Sequence, residues 1–198
     1  MNKVIQYQVG TPETLRDDAA RLYDEAFGAK FSLAIPDQQK RLPLLADSLS
    51  LPFSMVAIAG EELVGLAGFQ TTTGSLTKGM TAGLLIRHLG LWRGLWAAVV
   101  FGLYERGTTH NELLMDGIAV KSDMRGHGIG STLIEMIKQY AHNNDYTSIR
   151  LDVIDTNSDA KRLYERLGFK PTNIERFGYL RWLLGFGGST TMIFRVDG

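Results

Sequence analysis

The sequence predicts an α/β (α+β) domain in which β-strands and amphipathic helices alternate. Apolar residues recur with period two in some segments and with helical spacing in others, and the two patterns follow one another along the chain. Of the 198 residues, 44% are hydrophobic and 21% are charged, which is close to the average of globular domains. The length predicts a single domain over residues 1–198.

Composition excludes several functional classes. Lys plus Arg number 21 and Asp plus Glu number 21, so the chain has no global electrostatic signature of nucleic-acid binding. Cysteine is absent, which excludes a disulfide scaffold, a thiolate metal site and a cysteine nucleophile. The first residues lack the apolar segment of a signal peptide. We therefore expect a cytoplasmic protein without nucleic-acid partners and without stable membrane insertion.

The first third of the chain predicts a strand, two helices and a hairpin. A helix is expected to end at Gly28, because glycine commonly follows the last turn. The dipeptide Gly60-Glu61 separates two apolar, β-prone runs, as in a short hairpin turn. The predicted elements are a strand over 4–9, helices up to Gly28 and over 36–48, and strands over 54–59 and 62–72.

Residues 75–112 are interpreted as a helical apolar insertion between the third and fourth strands. Its apolar stripe consists of Trp92, Leu95, Trp96, Val99 and Leu103, and further apolar residues lie off this stripe. A helix that is apolar nearly all round is expected to be buried on more than one side. We expect the insertion to contact protein, either this domain or a second copy, rather than lipid. It also carries more basic than acidic residues.

The second half of the chain again alternates between strands and helices. Gly168 follows the predicted helix over 158–167, at the position where helices commonly end. The apolar loop 177–188 separates the last two strands. The predicted elements are a strand over 113–120, a helix over 129–141, a strand over 148–154, a helix over 158–167, and strands over 169–171 and 190–196.

A glycine-rich turn follows the strand that ends at Val120. Gly126, Gly128 and Gly130 occupy alternate positions directly before an apolar helix, and Arg125 precedes them. Glycines allow a bulky anion to approach backbone amides, and the helix contributes its positive N-terminal end. The pattern predicts a cradle for a phosphate or pyrophosphate; the alternative is a turn that only joins two elements. Neither a Walker lysine nor the dinucleotide spacing G-x-G-x-x-G is present.

Two motifs resemble the GNAT superfamily of N-acetyltransferases. They are Arg125-x-x-Gly128-x-Gly130 and Asn157-x-x-Ala160-x-x-Leu163-Tyr164-Glu165-x-x-Gly168-Phe169. The resemblance covers 113–171 closely and 4–72 by the order of elements, whereas 75–112 departs from it. It implies a GNAT-like mixed sheet, flanked by helices and splayed open between the strands that end at Val120 and near Ile154. Acetyl-CoA is expected to lie in that wedge.

The resemblance also implies residue roles in binding acetyl-CoA. Strand backbone would pair with the pantetheine arm, loop amides would hold the pyrophosphate, and Asn157 would hydrogen-bond the pantetheine. The expected cofactor-binding residues are Ile118, Ala119, Val120, Arg125, Gly126, His127, Gly128, Ile129, Gly130, Ser131, Asn157 and Ala160. No metal is expected, because the four histidines show no metal-ligand spacing.

Acetyl transfer to an amine needs a neutral amine and a proton for the departing thiolate. By resemblance, Tyr164 points its hydroxyl at the sulfur, and a phenol with a pKa near 10 can supply that proton. The alternative for Tyr164 is a core aromatic. Asp116 is the candidate base, directly or through water, or else a residue that orders the strand. Period-two alternation places five residues of this strand on one face: Glu112, Leu114, Asp116, Ile118 and Val120.

We therefore expect an acetyl-CoA-dependent N-acyltransferase that acts by direct attack in a ternary complex, since no cysteine is available for an acetyl-enzyme. The acceptor is an amine on a small molecule or peptide, and a homodimer is compatible with the sequence. The alternatives are a non-catalytic acyl-CoA-sensing module and an interaction protein that uses the Trp-rich insertion. Aromatic residues expected near an apolar or lid-covered acceptor are Phe27, Phe31, Trp92, Trp96, Tyr179, Trp182 and Phe186.

Overall fold

The computed structural model describes residues 4–102, 107, 111–176 and 186–196. Three short 3₁₀ turns, at 13–15, 51–53 and 122–124, precede α1, β2 and α5. The elements are β1 (Ile5–Val9), α1 (Arg16–Ser32), α2 (Gln38–Ser48), β2 (Ser54–Ala59), β3 (Glu62–Gln70), α3 (Ala82–Leu89), α4 (Leu91–Gly102), β4 (Glu112–Val120), α5 (Ile129–Asn143), β5 (Ser148–Ile154), α6 (Ser158–Arg166), β6 (Lys170–Arg176) and β7 (Gly188–Arg195).

The described strands form one seven-stranded sheet in the order β1-β2-β3-β4-β5-β7-β6. Neighbouring strands are antiparallel except β4 and β5, which are parallel. Although β4 has nine residues, its pairing with β5 extends only from Glu112–Ser148 to Leu114–Arg150. Beyond that point the two strands diverge. The predicted mixed, splayed sheet is therefore confirmed.

Helices cover both faces of the sheet. On one face, α5 contributes Leu133 and Ile137 to a core that also contains Leu151 of β5. On the other face, α1 and α2 contribute residues such as Leu22 and Leu45 to a second core. The sheet thus lies between two helical layers, and β4 and β5 are not paired beyond Leu114–Arg150.

A β-bulge interrupts the alternation of β4. Gly117 pairs with Gly68 of β3, but the next paired residue on β4 is Met115, so Asp116 is the extra residue. A Cβ added at Gly68 would lie 3.4 Å from the Cβ of Asp116. The bulge therefore places Asp116 directly after the segment that pairs with β5.

The bulge overturns the predicted shared face of β4. Before the bulge, Leu113 and Met115 pack on the α5 side; after it, Ile118 and Val120 pack on that same side. Glu112, Leu114, Asp116, Ile118 and Val120 were expected on one face, and this prediction is wrong because the extra residue shifts the alternation by one position.

Gly28 does not end α1, which continues to Ser32. A Cβ at Gly28 would lie 2.8 Å from Oδ1 of Asp24 and 3.3 Å from Nη2 of Arg41. Arg41 on α2 donates from Nη2 to Oδ2 of Asp24 at 3.1 Å and from Nη1 to the carbonyl of Ile35 at 2.8 Å. The glycine is thus explained by the space that this buried ion pair needs, rather than by helix termination.

The insertion forms a hairpin of two helices, α3 and α4, joined at Gly90. They approach so closely that a Cβ at Gly94 would lie 2.5 Å from the Cα of Ile86. On α4 the buried residues are therefore the small ones, Gly94, Ala97 and Val100. Phe101 of α4 contacts Phe31 of α1, with ring centroids 5.4 Å apart.

The described domain does not bury the stripe of α4, so the predicted burial against this domain is wrong, whereas the predicted contact with a second copy stays a prediction. The described residues of the stripe are between 43% and 81% exposed, namely Trp92, Leu95, Trp96 and Val99, and the neighbouring Leu91 is 54% exposed. Leu103 lies outside the described residues. Within the domain, close packing against α3 selects the small face of α4 and turns the bulky face outward. Within the described part of the chain, no helix combines the length and apolar character needed to cross a bilayer.

Candidate active site

The two sequence motifs meet where β4 separates from β5. A Cβ added at Gly130, in the first turn of α5, would lie 3.6 Å from Cδ1 of Ile118 and 3.6 Å from Cδ2 of Leu163 on α6. The Cγ2 of Val120 would lie 3.9 Å away. The start of α5, the end of β4 and α6 therefore converge on one place at the splay.

The loop before α5 leaves its backbone open. Gly126 and Gly128 both have φ of +79°, a left-handed conformation that side chains with a Cβ rarely adopt. No described heavy atom lies within 4 Å of a Cβ built at either position. Residues 129–131 begin α5, and the first amides of a helix have no intrahelical acceptor and carry its positive dipole end. This arrangement can bind an anion.

Arg125 and His127 stabilise the same loop. Nε of Arg125 donates to the carbonyl of Val120 at 3.2 Å, and Nδ1 of His127 lies 3.0 Å from the carbonyl oxygen of Arg125. Both residues are exposed. Among the described residues, no group of three His, Asp or Glu side chains is arranged to bind a metal ion.

Asn157 and Ala160 are connected by the N-cap of α6. Oδ1 of Asn157 accepts a hydrogen bond from the amide of Ala160 at 3.2 Å. Such a cap satisfies one of the orphan amides at a helix start. The cap uses Oδ1, and Nδ2 of Asn157 is a donor that it does not use.

Tyr164 lies in the core on the α5 side of the sheet. It is 5% exposed, and its ring centroid is 5.9 Å from that of Phe169. Burial raises the pKa of the Tyr164 phenol far above its usual value of 10, because the phenolate cannot be hydrated there. The hydroxyl therefore keeps its proton at neutral and moderately alkaline pH.

Asp116 lies on the α1 side of the sheet, half-buried at the bulge. Its neighbour Gly117 has φ of +153°, and a Cβ there would lie 2.4 Å from Cζ of Phe27. Glycine thus allows α1 to pack closely beside Asp116. Burial, and then the negative charge of Asp116, raise the pKa of the Tyr23 phenol on α1. Tyr23 is not predicted as a site residue, because its helical spacing is that of any core aromatic.

Further polar side chains lie on strands beside the splay. Nη1 of Arg150 lies 3.2 Å from Oε1 of Glu112, and the hydroxyl of Thr191 donates to Oδ1 of Asp152 at 2.5 Å. The sequence predicts that Arg150 and Asp152 share one face of β5, because apolar and polar residues alternate along this strand. Their partners depend on strand order and could not be predicted locally.

The aromatic residues expected around the acceptor do not all come together. Phe27 and Phe31 flank Tyr23, with ring centroids 4.7 and 5.9 Å from it. Phe186 is buried, whereas the indoles of Trp92 and Trp96 are exposed on α4. Tyr179 and Trp182 lie outside the described residues.

Comparison with known families agrees with this site. The profile described as "Acetyltransferase (GNAT) family" matches residues 14–169, which contain the loop before α5 and the Tyr164 helix. The chain therefore belongs to the GNAT family of acetyltransferases.

The chain is similar to several N-acetyltransferases. It is 39% identical to the thialysine N-epsilon-acetyltransferase of Sus scrofa over 66 residues, which are 33% of this chain and 38% of that protein. It is 34% identical to the streptothricin acetyltransferase of Escherichia coli over 79 residues, which are 39% and 45% of the two chains. The chain thus spans less than half the length of these relatives.

Solved structures share the fold over nearly the whole chain. A GCN5-related N-acetyltransferase from Kribbella flavida superposes with a TM-score of 0.63 at 16% identity, covering 96% of this chain and 97% of that one. The ribosomal-protein-S18-alanine N-acetyltransferase of E. coli gives 0.59 at 14% identity, covering 98% and 96%. At these identities the likeness concerns the fold alone.

Proposed function

We propose that the protein transfers the acetyl group of acetyl-CoA to an amine by direct attack in a ternary complex. The observation that carries this proposal is the convergence of the glycine loop, the free end of β4 and α6 at the splay. Family membership supports acetyl transfer, and the direct route rests on the absence of cysteine.

The residues present fit a CoA molecule. Gly126 and Gly128 leave open space beside the N-terminus of α5, where a pyrophosphate can approach backbone amides. On β4, residues 118–120 lie beyond the last pair with β5, so their β5-facing backbone groups can pair with an extended pantetheine arm. When bound, acetyl-CoA supplies an acetyl thioester activated for attack by an amine.

Two side chains have chemistry that suits this transfer. Asp116, half-buried at the bulge, takes a proton from the acceptor nitrogen, directly or through a water molecule. Tyr164, whose buried phenol stays neutral, gives its proton to the sulfur as the carbon–sulfur bond breaks and the carbon–nitrogen bond forms. A sensing module needs neither residue, so the presence of both Tyr164 and Asp116 favours the enzyme.

A panel of amines tests the proposal. The purified protein is incubated with acetyl-CoA and each amine, and release of free thiol is followed. The panel includes an ε-amine and an amino-terminal alanine peptide, since two similar proteins are named after these acceptors. Thiol release that depends on both protein and amine is expected. Tight CoA binding by calorimetry without turnover on any amine would contradict catalysis and favour a sensing module.

Gly128→Ala is expected to weaken CoA binding at least tenfold, because a methyl group would enter the space next to the amide cradle. The left-handed φ also adds backbone strain of about 1–2 kcal/mol. Gly90→Ala is a matched control, since Gly90 has φ of +80° and an equally open environment but lies between α3 and α4. Calorimetry with CoA should separate the two; equal affinities in both folded variants would contradict the cradle.

Asn157→Asp separates helix capping from a donor role toward the cofactor. Aspartate keeps the oxygen that caps α6 but loses the Nδ2 donor, so stability should be retained while the KM for acetyl-CoA rises about tenfold. Asn157→Ala should also lose about 1 kcal/mol of stability through the missing cap. Thermal melts and steady-state kinetics measure both effects. An unchanged KM in the aspartate variant would limit Asn157 to capping.

A further inference from the structure

The exposed apolar stripe of α4 is defined as Leu91, Trp92, Leu95, Trp96 and Val99. Trp92 is 81% exposed and Trp96 58% exposed, on a helix whose opposite face packs against α3. Scattered apolar residues are common on protein surfaces, but a continuous stripe on one helix face marks an interaction surface. The fold thus presents a bulky apolar face that nothing in the described chain covers.

The two helices of the hairpin carry basic residues and no acidic ones. Between Glu62 and Glu105 the sequence contains no Asp or Glu, whereas it contains Lys78, Arg87 and Arg93. Arg87 and Arg93 are exposed, and neither forms an ion pair with another described residue. Asp47 of α2 contacts His88 of α3, with Oδ2 of Asp47 2.9 Å from Nε2 of His88. The two helices therefore combine exposed tryptophan with arginine that no carboxylate in the described part of the chain neutralises.

We propose that the α3–α4 hairpin docks on the surface of an anionic lipid bilayer, with the stripe in the headgroup region and the arginines on the lipid phosphates. Tryptophan favours the membrane interface, because its ring is apolar and its N–H needs a polar partner. Arginine pairs with phosphate, and an anionic surface attracts basic residues. At about 1.5 Å per residue, the 12 residues of α4 are too few to cross a bilayer. The helix therefore lies in the plane of the interface.

A second copy of the chain suits this surface less well. A two-fold contact through the stripe would bring the same surface of both copies together, and with it Arg87 and Arg93 of each. Neither α3 nor α4 carries a carboxylate to pair with them. The charge therefore favours an anionic partner. The sequence predicts a contact with this domain or with a second copy; the described domain leaves the stripe exposed, and a second copy is the alternative that the experiment distinguishes.

Vesicle sedimentation tests the proposal on the whole chain. The protein should bind vesicles of equal phosphatidylcholine and phosphatidylglycerol at least tenfold more tightly than pure phosphatidylcholine, and less tightly as salt is raised. Arg87→Gln with Arg93→Gln should weaken this binding about 30-fold, since each basic residue near the surface contributes a factor of about five. Trp92→Ser with Trp96→Ser should weaken it at least tenfold.

The control variant is Val9→Ser with Ile174→Ser, which removes two apolar residues of similar exposure, 54% and 59%, from strands remote in sequence from α4. It should bind vesicles as the wild type does, and circular dichroism melts confirm that each variant is folded. Three results would overturn the proposal: no binding to anionic vesicles, equal binding by the Trp92/Trp96 variant, or a dimer in sedimentation equilibrium that the Trp92/Trp96 variant dissociates. The last result would assign the stripe to a second copy.

Discussion

Replacing Tyr164 by phenylalanine is expected to lower turnover by roughly 10²–10⁴-fold, the range typical of a lost general acid. The hydroxyl is the only group removed, and the ring contact with Phe169, at 5.9 Å between centroids, remains available. CoA affinity should therefore stay close to that of the wild type. Steady-state kinetics on a substrate whose chemical step limits the rate measure the loss, and calorimetry measures the affinity.

A structural role for Tyr164 gives a different result. Loss of a buried hydroxyl then costs at most about one hydrogen bond, near 1 kcal/mol of unfolding free energy, and leaves turnover intact. A folded Tyr164→Phe protein with full turnover would refute the catalytic role.

The pH dependence of the free energy of unfolding tests the raised pKa of Tyr164. Because burial raises its pKa, the folded protein holds the phenolic proton that the unfolded chain releases near pH 10. The stability contributed by the neutral phenol is therefore present below pH 10 and is lost as pH rises above it. Urea denaturation between pH 8 and 11 should show a shallower alkaline loss of stability in Tyr164→Phe. An identical slope in both proteins would contradict a pKa raised by burial.

Asp24→Ala is expected to lower the free energy of unfolding by about 3–5 kcal/mol, because it leaves the guanidinium of Arg41 buried without its carboxylate. The Asp24 side chain is 2% exposed and that of Arg41 9% exposed. Gln38 also donates to Asp24, at 2.9 Å, so the substitution disrupts a small network between α1 and α2. Urea denaturation measures the change.

Two controls compare the contribution of the buried Asp24–Arg41 pair with that of an exposed ion pair. Arg21→Gln removes an exposed pair with Asp18 on the same helix and should cost less than about 1 kcal/mol. Asp24→Leu combined with Arg41→Met removes both buried charges and should recover much of the stability lost by Asp24→Ala. A loss in Asp24→Ala no greater than that in Arg21→Gln would contradict the role assigned to the pair.

The glycine-rich turn before α5 was predictable from the sequence because its signal is local, and its role in binding CoA stays a prediction. The glycine loop and the cap at Asn157 each depend on a few adjacent residues, because left-handed turns and helix starts have strong residue preferences. The proximity of Tyr23 and Asp116 had no local signal. Tyr23 has the spacing of a core residue, and its approach to Asp116 depends on how closely α1 packs on Gly117.

By itself, the sequence determined the α/β class, the order of the strands and helices along the chain, and the glycine-rich turn before α5. These features follow from hydrophobic periodicity and from glycine chemistry, which act over short stretches of chain. Tertiary structure decided the bulge at Asp116, the continuation of α1 through Gly28 and the exposure of the α4 stripe. Each of these depends on contacts between residues distant in sequence: β3 with β4, Asp24 with Arg41, and Gly94 with Ile86. Packing chose which face of each element to bury, and the local pattern of α4 contained no information on that choice.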